Sequence, residues 1–155
     1  MRNRTRIGLI VLFTILSTTL NSCLGTKKIE SEKPVIRLKT TACSGTCPVF
    51  SLEIYSNGTT ILNGKAFIEY IGQYQGKLDD DKLKALLIKF EESNFFSFEN
   101  KYTSTFMDLP AKYITYSKGD KSKEIMAYDN IPEELTDLIN AVRELIDQVD
   151  WKKID

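Results

Sequence analysis

The chain has 155 residues, of which 42% are hydrophobic and 27% are charged. This length allows one ordinary domain, and the composition is that of a globular protein and excludes an intrinsically disordered chain. Residues 1–22 hold three arginines and no acid, so residues 23–155 carry 18 basic and 21 acidic residues, a net charge of −3. That charge, with lysines scattered among acids, is unfavourable for binding nucleic acid, and we expect no nucleic-acid partner.

The first 22 residues predict a lipoprotein signal peptide. Three arginines are followed by a short apolar stretch over residues 7–20, which is typical of a secretory signal and shorter than the roughly 20 residues that span a bilayer. Residues 20–23, Leu-Asn-Ser-Cys, resemble the lipobox of bacterial lipoproteins, and this resemblance implies that Cys23 is acylated. The alternative is an ordinary secretory signal with a chance cysteine.

The lipobox also implies a location. We expect a cell-envelope protein that is anchored to a membrane by its lipid and faces the periplasm, in the outer membrane rather than the inner one. Two or more acyl chains hold a protein stably, whereas one holds it only marginally. Residues 23–34 are polar and lack periodicity, so we interpret them as a tether ahead of a single domain over residues 35–155.

Strands are predicted in the first half of this domain. Apolar and polar residues alternate around Ile36 and, more clearly, over residues 50–55. Asn57-Gly58 then predicts a hairpin with a type I′ turn, so residues 59–62 should pair back. Residues 66–71 predict a third strand, and we expect Gly72 and Gly76 to end it.

Two amphipathic helices are predicted by apolar residues at helical spacing. The first begins after Asp79, a suitable N-cap, and stops near Ser93-Asn94. The second begins at Pro132 and continues to about Val149. Two more strands lie between them, after a segment over residues 99–110 that looks irregular. The order βββ-α-ββ-α predicts an α+β fold, with an antiparallel sheet of about five strands covered on one face by the two helices.

Cys43 and Cys47 flank Ser44-Gly45-Thr46, and we predict that they form a disulfide. An oxidising compartment favours one bond between two remaining thiols, and the small residues between them allow the tight turn that it needs. Zinc lacks further ligands because the chain has no histidine. A thiol–disulfide exchanger stays open as the alternative, although its usual motif is C-x-x-C at a helix N-terminus.

Copper handling is the other open alternative for this cysteine pair. The C-x-x-x-C-P pattern resembles that of thioredoxin-like copper chaperones, but those also use a distal histidine, which this chain lacks. Without histidine, no Ser-His-Asp or Cys-His arrangement exists either. We therefore predict no enzyme, and assign no catalytic residue, no metal ligand and no cofactor.

Four features resemble an uncharacterised family of bacterial envelope lipoproteins that contain a domain of unknown function. They are residues 41–52 (TACSGTCPVFSL), residues 72–76 (GQYQG), residues 108–110 (DLP), and a late helix after Tyr128 that ends at Trp151. The resemblance covers roughly residues 35–152 and implies a secreted, lipid-anchored α+β domain without implying any activity.

Loops carry function on rigid scaffolds, so we expect the contact surface of this domain on two of them. They are the cysteine loop and the segment over residues 99–110. The residues that we predict there are Ser44, Gly45, Thr46 and Asp108. The expected partner is an unknown protein or small molecule of the cell envelope.

Overall fold

Eight strands within the described residues form one sheet, with two helices packed on it. The computed structural model describes residues 33–105 and 108–154. The predicted signal peptide, Cys23 and most of the predicted tether lie outside the described residues. The strands are β1 (Ile36–Thr40), β2 (Val49–Ile54), β3 (Thr59–Ala66), β4 (Gly72–Lys77), β5 (Lys101–Tyr102), β6 (Lys112–Lys118), β7 (Lys121–Ala127) and β8 (Lys152–Lys153). The helices are α1 (Asp80–Glu92) and α2 (Glu133–Glu144).

The sheet order is β5-β7-β6-β1-β2-β3-β4-β8. All neighbouring strands are antiparallel except β5 and β7, which are parallel. The sheet is therefore mixed, and β1 and β2 lie at its centre. The predicted α+β class is confirmed, whereas the predicted sheet of about five antiparallel strands is too small.

One face of the sheet carries the core. Side chains alternate along β1 and β2, so that Ile36, Leu38, Leu52 and Ile54 are fully buried while the residues between them remain accessible. The apolar stripes of both helices join the same cluster, including Phe90 of α1 and Val142 of α2. At roughly 25 cal/mol per Å² of buried apolar surface, this single core is the main source of stability.

Glycines explain why the sequence under-predicts the sheet. An alanine Cβ at Gly64 would lie 1.8 Å from the carbonyl oxygen of Tyr70, and one at Gly76 would lie 2.2 Å from a methyl of Val149. Both glycines sit inside strands where another segment approaches the backbone closely. Gly72 and Gly76 therefore belong to β4 and do not end a strand as we predicted.

The predicted third strand over residues 66–71 is wrong. β3 continues through Asn63-Gly64 to Ala66, and Phe67 then adopts a positive φ of 54° that turns the chain. The segment that follows crosses over Gly64, and the next strand is β4. Only about one residue of the predicted strand is therefore paired, because the chain reverses earlier than its apolar pattern suggests.

The predicted hairpin after β2 forms, but with a different turn. A type I′ turn needs positive φ at two residues, whereas here only Gly58 has it, at 80°. The Gly58 N–H donates to the Tyr55 carbonyl (2.9 Å), and the Tyr55 N–H donates to the Thr59 carbonyl (2.9 Å). This is a three-residue loop with glycine in the left-handed position. Residues 99–110 also differ from prediction, since β5 lies within them and pairs with β7.

Candidate ligand-binding groove

The face of the sheet opposite the helices, which we call the open face, contains a groove over β1 and β2. Its volume is about 590 Å³, within the range of roughly 300–1,000 Å³ that is usual for small-molecule sites. The register aligns Arg37 with Glu53 and Lys39 with Ser51 across the two strands. The residues that line the groove are Arg37, Lys39, Thr40, Thr41, Ala42, Val49, Phe50, Ser51, Glu53 and Lys65.

Glu53 organises one end of this groove. Its Oε1 accepts a hydrogen bond from Nε of Arg37 (2.9 Å), and its Oε2 accepts one from the hydroxyl of Tyr55 (2.9 Å). Burial, with the hydrogen bond and negative charge of Glu53, raises the pKa of Tyr55 above its ordinary value. The phenol therefore stays protonated and keeps donating to the carboxylate at neutral pH.

Two lysines add positive charge farther along the groove. The ammonium of Lys39 lies 5.7 Å from the ring centroid of Tyr113, a cation–π distance that holds the side chain against β6. Lys65 is exposed on the other side of β2. Among the described residues, the groove thus contains three cations, from Arg37, Lys39 and Lys65, and a single carboxylate.

The other end of the groove meets the cysteine loop, residues 41–48, which joins β1 to β2. A β-bulge between Val49 and Phe50 interrupts the ladder with β3 where this loop enters β2. The hydroxyl of Thr40 lies beneath the loop, donates to the Pro48 carbonyl (2.7 Å) and accepts from the Phe50 N–H (3.1 Å). One buried side chain therefore ties both ends of the loop together.

Cys43 and Cys47 are joined by a disulfide, with their Cα atoms 5.8 Å apart. Both cysteines are half-buried, and the Gly45 N–H donates to Sγ of Cys43 (3.3 Å). The chain-entropy relation gives a loop of this size about 2 kcal/mol of stabilisation. The pair lies between two strands and not at a helix N-terminus, where a helix dipole would lower a thiol pKa. This setting favours a structural bond.

The structure brings the two predicted contact loops together. The hydroxyl of Ser44 donates to Oδ1 of Asp108 (3.0 Å). The Leu109 N–H donates to the hydroxyl of Tyr128 (3.2 Å), and Thr41 and Ala111 exchange hydrogen bonds of 2.9 and 3.0 Å. Ser44, Gly45, Thr46 and Asp108 are all exposed.

Sequence reasoning missed the charged floor of the groove. The sequence shows polar residues alternating with apolar ones in two predicted strands, and these polar residues include Arg37, Lys39 and Glu53. Because side chains alternate between the two faces of a strand, they lie on one face of the sheet. Their partnership depends on β1 pairing with β2 in register, which the sequence does not specify.

Residues 34–146 match a protein family described as a domain of unknown function, DUF6438. The chain belongs to this family. No curated protein and no solved structure matches the chain. The matched range begins just before β1 and ends just after α2, so the family's domain includes the cysteine loop and every residue of the groove.

Among the described residues, neither helix is long and apolar enough to cross a membrane. Within residues 33–105 and 108–154, no group of three or more cysteine, aspartate or glutamate side chains is placed to hold a metal ion.

Replacing Thr40 with valine should destabilise the DUF6438 domain. Valine keeps the shape but leaves the Phe50 N–H and the Pro48 carbonyl without their partner. Since an unsatisfied buried group costs about 1–3 kcal/mol, we expect a loss of about 2–3 kcal/mol in the free energy of unfolding. Urea unfolding followed by circular dichroism measures it.

Thr60→Val is the matched control for this substitution. Thr60 is fully buried in β3, and its hydroxyl has no hydrogen-bond partner among the described residues. Removing that hydroxyl should leave stability unchanged or raise it. Equal losses for the two variants would show that the Thr40 hydrogen bonds do not hold the loop.

Proposed function

We propose that this chain is a lipid-anchored protein of the bacterial cell envelope whose domain binds a ligand or partner through the groove and the adjoining cysteine loop. The observation that carries the proposal is the groove itself. It combines fixed polar groups with a loop that Thr40, the disulfide and the Ser44–Asp108 hydrogen bond hold in place. Such pre-organisation lowers the cost of ordering a binding surface.

The anchoring half of the proposal depends on Cys23. Acyl chains on this cysteine would place the domain at a membrane surface, with residues 23–34 as the spacer. In this proposal the membrane is outer rather than inner, the domain faces the periplasm, and the disulfide is maintained by the oxidising compartment. The lipobox resemblance and the polar segment after it support this reading.

Cys23→Ser should release the protein from membranes. Serine cannot take the thioether-linked lipid, so we expect the protein to move from the membrane pellet to the soluble fraction or to remain unprocessed. Fractionation of cells, with the mass of the N-terminal peptide, measures the change. The Cys43→Ser, Cys47→Ser double variant is the control and should stay in the pellet. Continued membrane association of a processed Cys23→Ser protein would contradict lipid anchoring.

The binding half is tested by photocrosslinking from the groove. A photoreactive phenylalanine derivative at Ser51 lies on the floor of the groove, whereas the same residue at Lys84 lies on the exposed side of α1. We expect a discrete adduct from position 51 in intact envelopes and none from position 84. The same adducts from both positions, or none from either, would contradict a binding role for the groove.

A further inference from the structure

We propose that the groove binds an organic oxyanion, a ligand whose carboxylate or phosphate group lies between Arg37, Lys39 and Lys65. This inference rests on the proposed binding function and names the ligand class. Counted over the described residues, three cations and a single carboxylate give the groove a net charge of +2. The domain over residues 35–155 has 15 basic and 19 acidic residues, a net charge of −4. The groove is therefore opposite in sign to the domain that carries it.

The charge of the groove is also incompletely neutralised. Glu53 uses Oε1 for Nε of Arg37 and Oε2 for Tyr55. In the described part of the chain, Nε makes the only side-chain hydrogen bond of Arg37, so the terminal nitrogens of this groove-lining guanidinium have no acceptor there. A guanidinium that is held in place by one carboxylate can then bind a second oxyanion through its remaining N–H groups.

The positions of the cations suit a single anionic ligand. Arg37 and Lys39 project from the same face of β1, about 7 Å apart along the strand. Lys65 comes from β3 on the far side of β2, so Ser51 of β2 lies between the strands that carry the basic residues. Long basic side chains on different strands can reach one shared ligand. The hydroxyl of Ser51 can donate a further hydrogen bond to it.

The end of the groove near the cysteine loop contains apolar groups beside the charge of Lys65. Val49 and Ala42 line it, together with part of Phe50. Sites for small molecules combine apolar walls with a few placed polar groups. We infer that the ligand carries an apolar portion beside its oxyanion, and that the fixed cysteine loop positions this portion.

Calorimetric titration of the full-length chain in neutral detergent tests the proposal. The probes are citrate and tripolyphosphate as free oxyanions, and phosphatidylglycerol in mixed micelles with the same detergent as a lipid source. The Arg37→Gln, Lys39→Gln, Lys65→Gln triple variant should lose at least about tenfold in affinity, because each removed charged contact is worth about a factor of ten. The matched control is Lys82→Gln, Lys84→Gln, Lys89→Gln on α1, where all three lysines are exposed and the same charge is lost. This control variant should change the oxyanion affinity by less than about twofold, because salt screens charges that lie far from the groove.

Glu53→Gln provides a gain-of-binding test that a loss of folding cannot imitate. Glutamine keeps the size of the side chain and removes the only carboxylate that the described residues place in the groove, so oxyanion affinity should rise severalfold. Binding of a free probe identifies a soluble ligand, and binding of the phosphatidylglycerol micelles alone identifies a headgroup. Both results support the oxyanion class when the triple variant is impaired. No binding of any probe, or equal losses in the triple variant and its control, would overturn it. A specific adduct from position 51 without oxyanion binding would overturn the ligand class alone and leave the proposed function standing.

Discussion

Gly64→Ala should destabilise the domain by about 3 kcal/mol or more, at the upper end of what overpacking usually costs. The added Cβ would lie 1.8 Å from the carbonyl oxygen of Tyr70 and 2.9 Å from a methyl of Ile68. The first atom belongs to the backbone, so no side-chain rotation relieves the clash. Either β3 or the segment after Phe67 has to move.

The position of Gly64 makes this substitution relevant to the groove. Gly64 pairs with Phe50 beside the β-bulge, and Lys65 follows it directly. Displacement of β3 would therefore also move Lys65 away from the other two cations. Chemical denaturation measures the stability, and Gly45→Ala is the control, because its Cβ would meet only Sγ of Cys43 at 3.9 Å. A Gly64→Ala domain as stable as the Gly45→Ala domain would contradict the close approach of residues 67–71 to β3.

Phe90→Ala should cost about 3–5 kcal/mol, the usual range for removing a buried phenylalanine. Phe90 is fully buried on α1, and its ring centroid lies 4.9 Å from that of Tyr116 on β6 and 5.3 Å from that of Phe95. This aromatic cluster joins the helix layer to the sheet. Removing the Phe90 ring leaves a cavity beside β6, the strand that pairs with β1.

An ion-pair and hydrogen-bond cluster beside Phe90 limits how far this site can collapse. Glu91 accepts hydrogen bonds from the hydroxyl of Tyr116 and from Nζ of Lys118 (2.5 Å), so α1 and β6 stay linked when the ring is removed. Ile88→Ala is the control on the same helix, where the side chain is 45% exposed and the expected change is within about 0.5 kcal/mol. Thermal and urea unfolding compare the two variants. Similar stabilities for both would contradict the central place of Phe90 in the core.

The part of the fold that follows from local pattern was predictable. α1 occupies nearly the predicted residues, because its apolar stripe is long and Asp79 precedes it. The central strands β1 and β2 follow from alternation, and β6 and β7 lie close to the predicted pair. The two-residue strands β5 and β8 are too short to have a period. β4 was missed because Gly72 and Gly76 suggest turns. Gly76 instead leaves space inside the strand for the side chain of Val149.

The candidate site also has one part that the sequence predicts and another part that it does not. The cysteine pair was predictable from its spacing and the absence of histidine. Contact between Ser44 and Asp108 was not, because 64 positions separate them and only the pairing of β1 with β6 brings their loops together. The groove was not predictable either, since it requires the register between β1 and β2 and the side chain of Lys65 from β3.

The most direct measurement of whether the groove is a binding site is the reactivity of its lysines in native envelopes, the location that we propose for this chain. Lys39 and Lys65 lie in the groove, and Lys82 and Lys84 are exposed on α1. A lysine-acylating reagent, followed by mass spectrometry, compares each rate in envelopes with the rate in the purified chain. We predict that Lys39 and Lys65 react several times more slowly in envelopes while Lys82 and Lys84 react equally in both. Equal ratios for all four lysines would mean that nothing occupies the groove and would contradict its role as the binding surface.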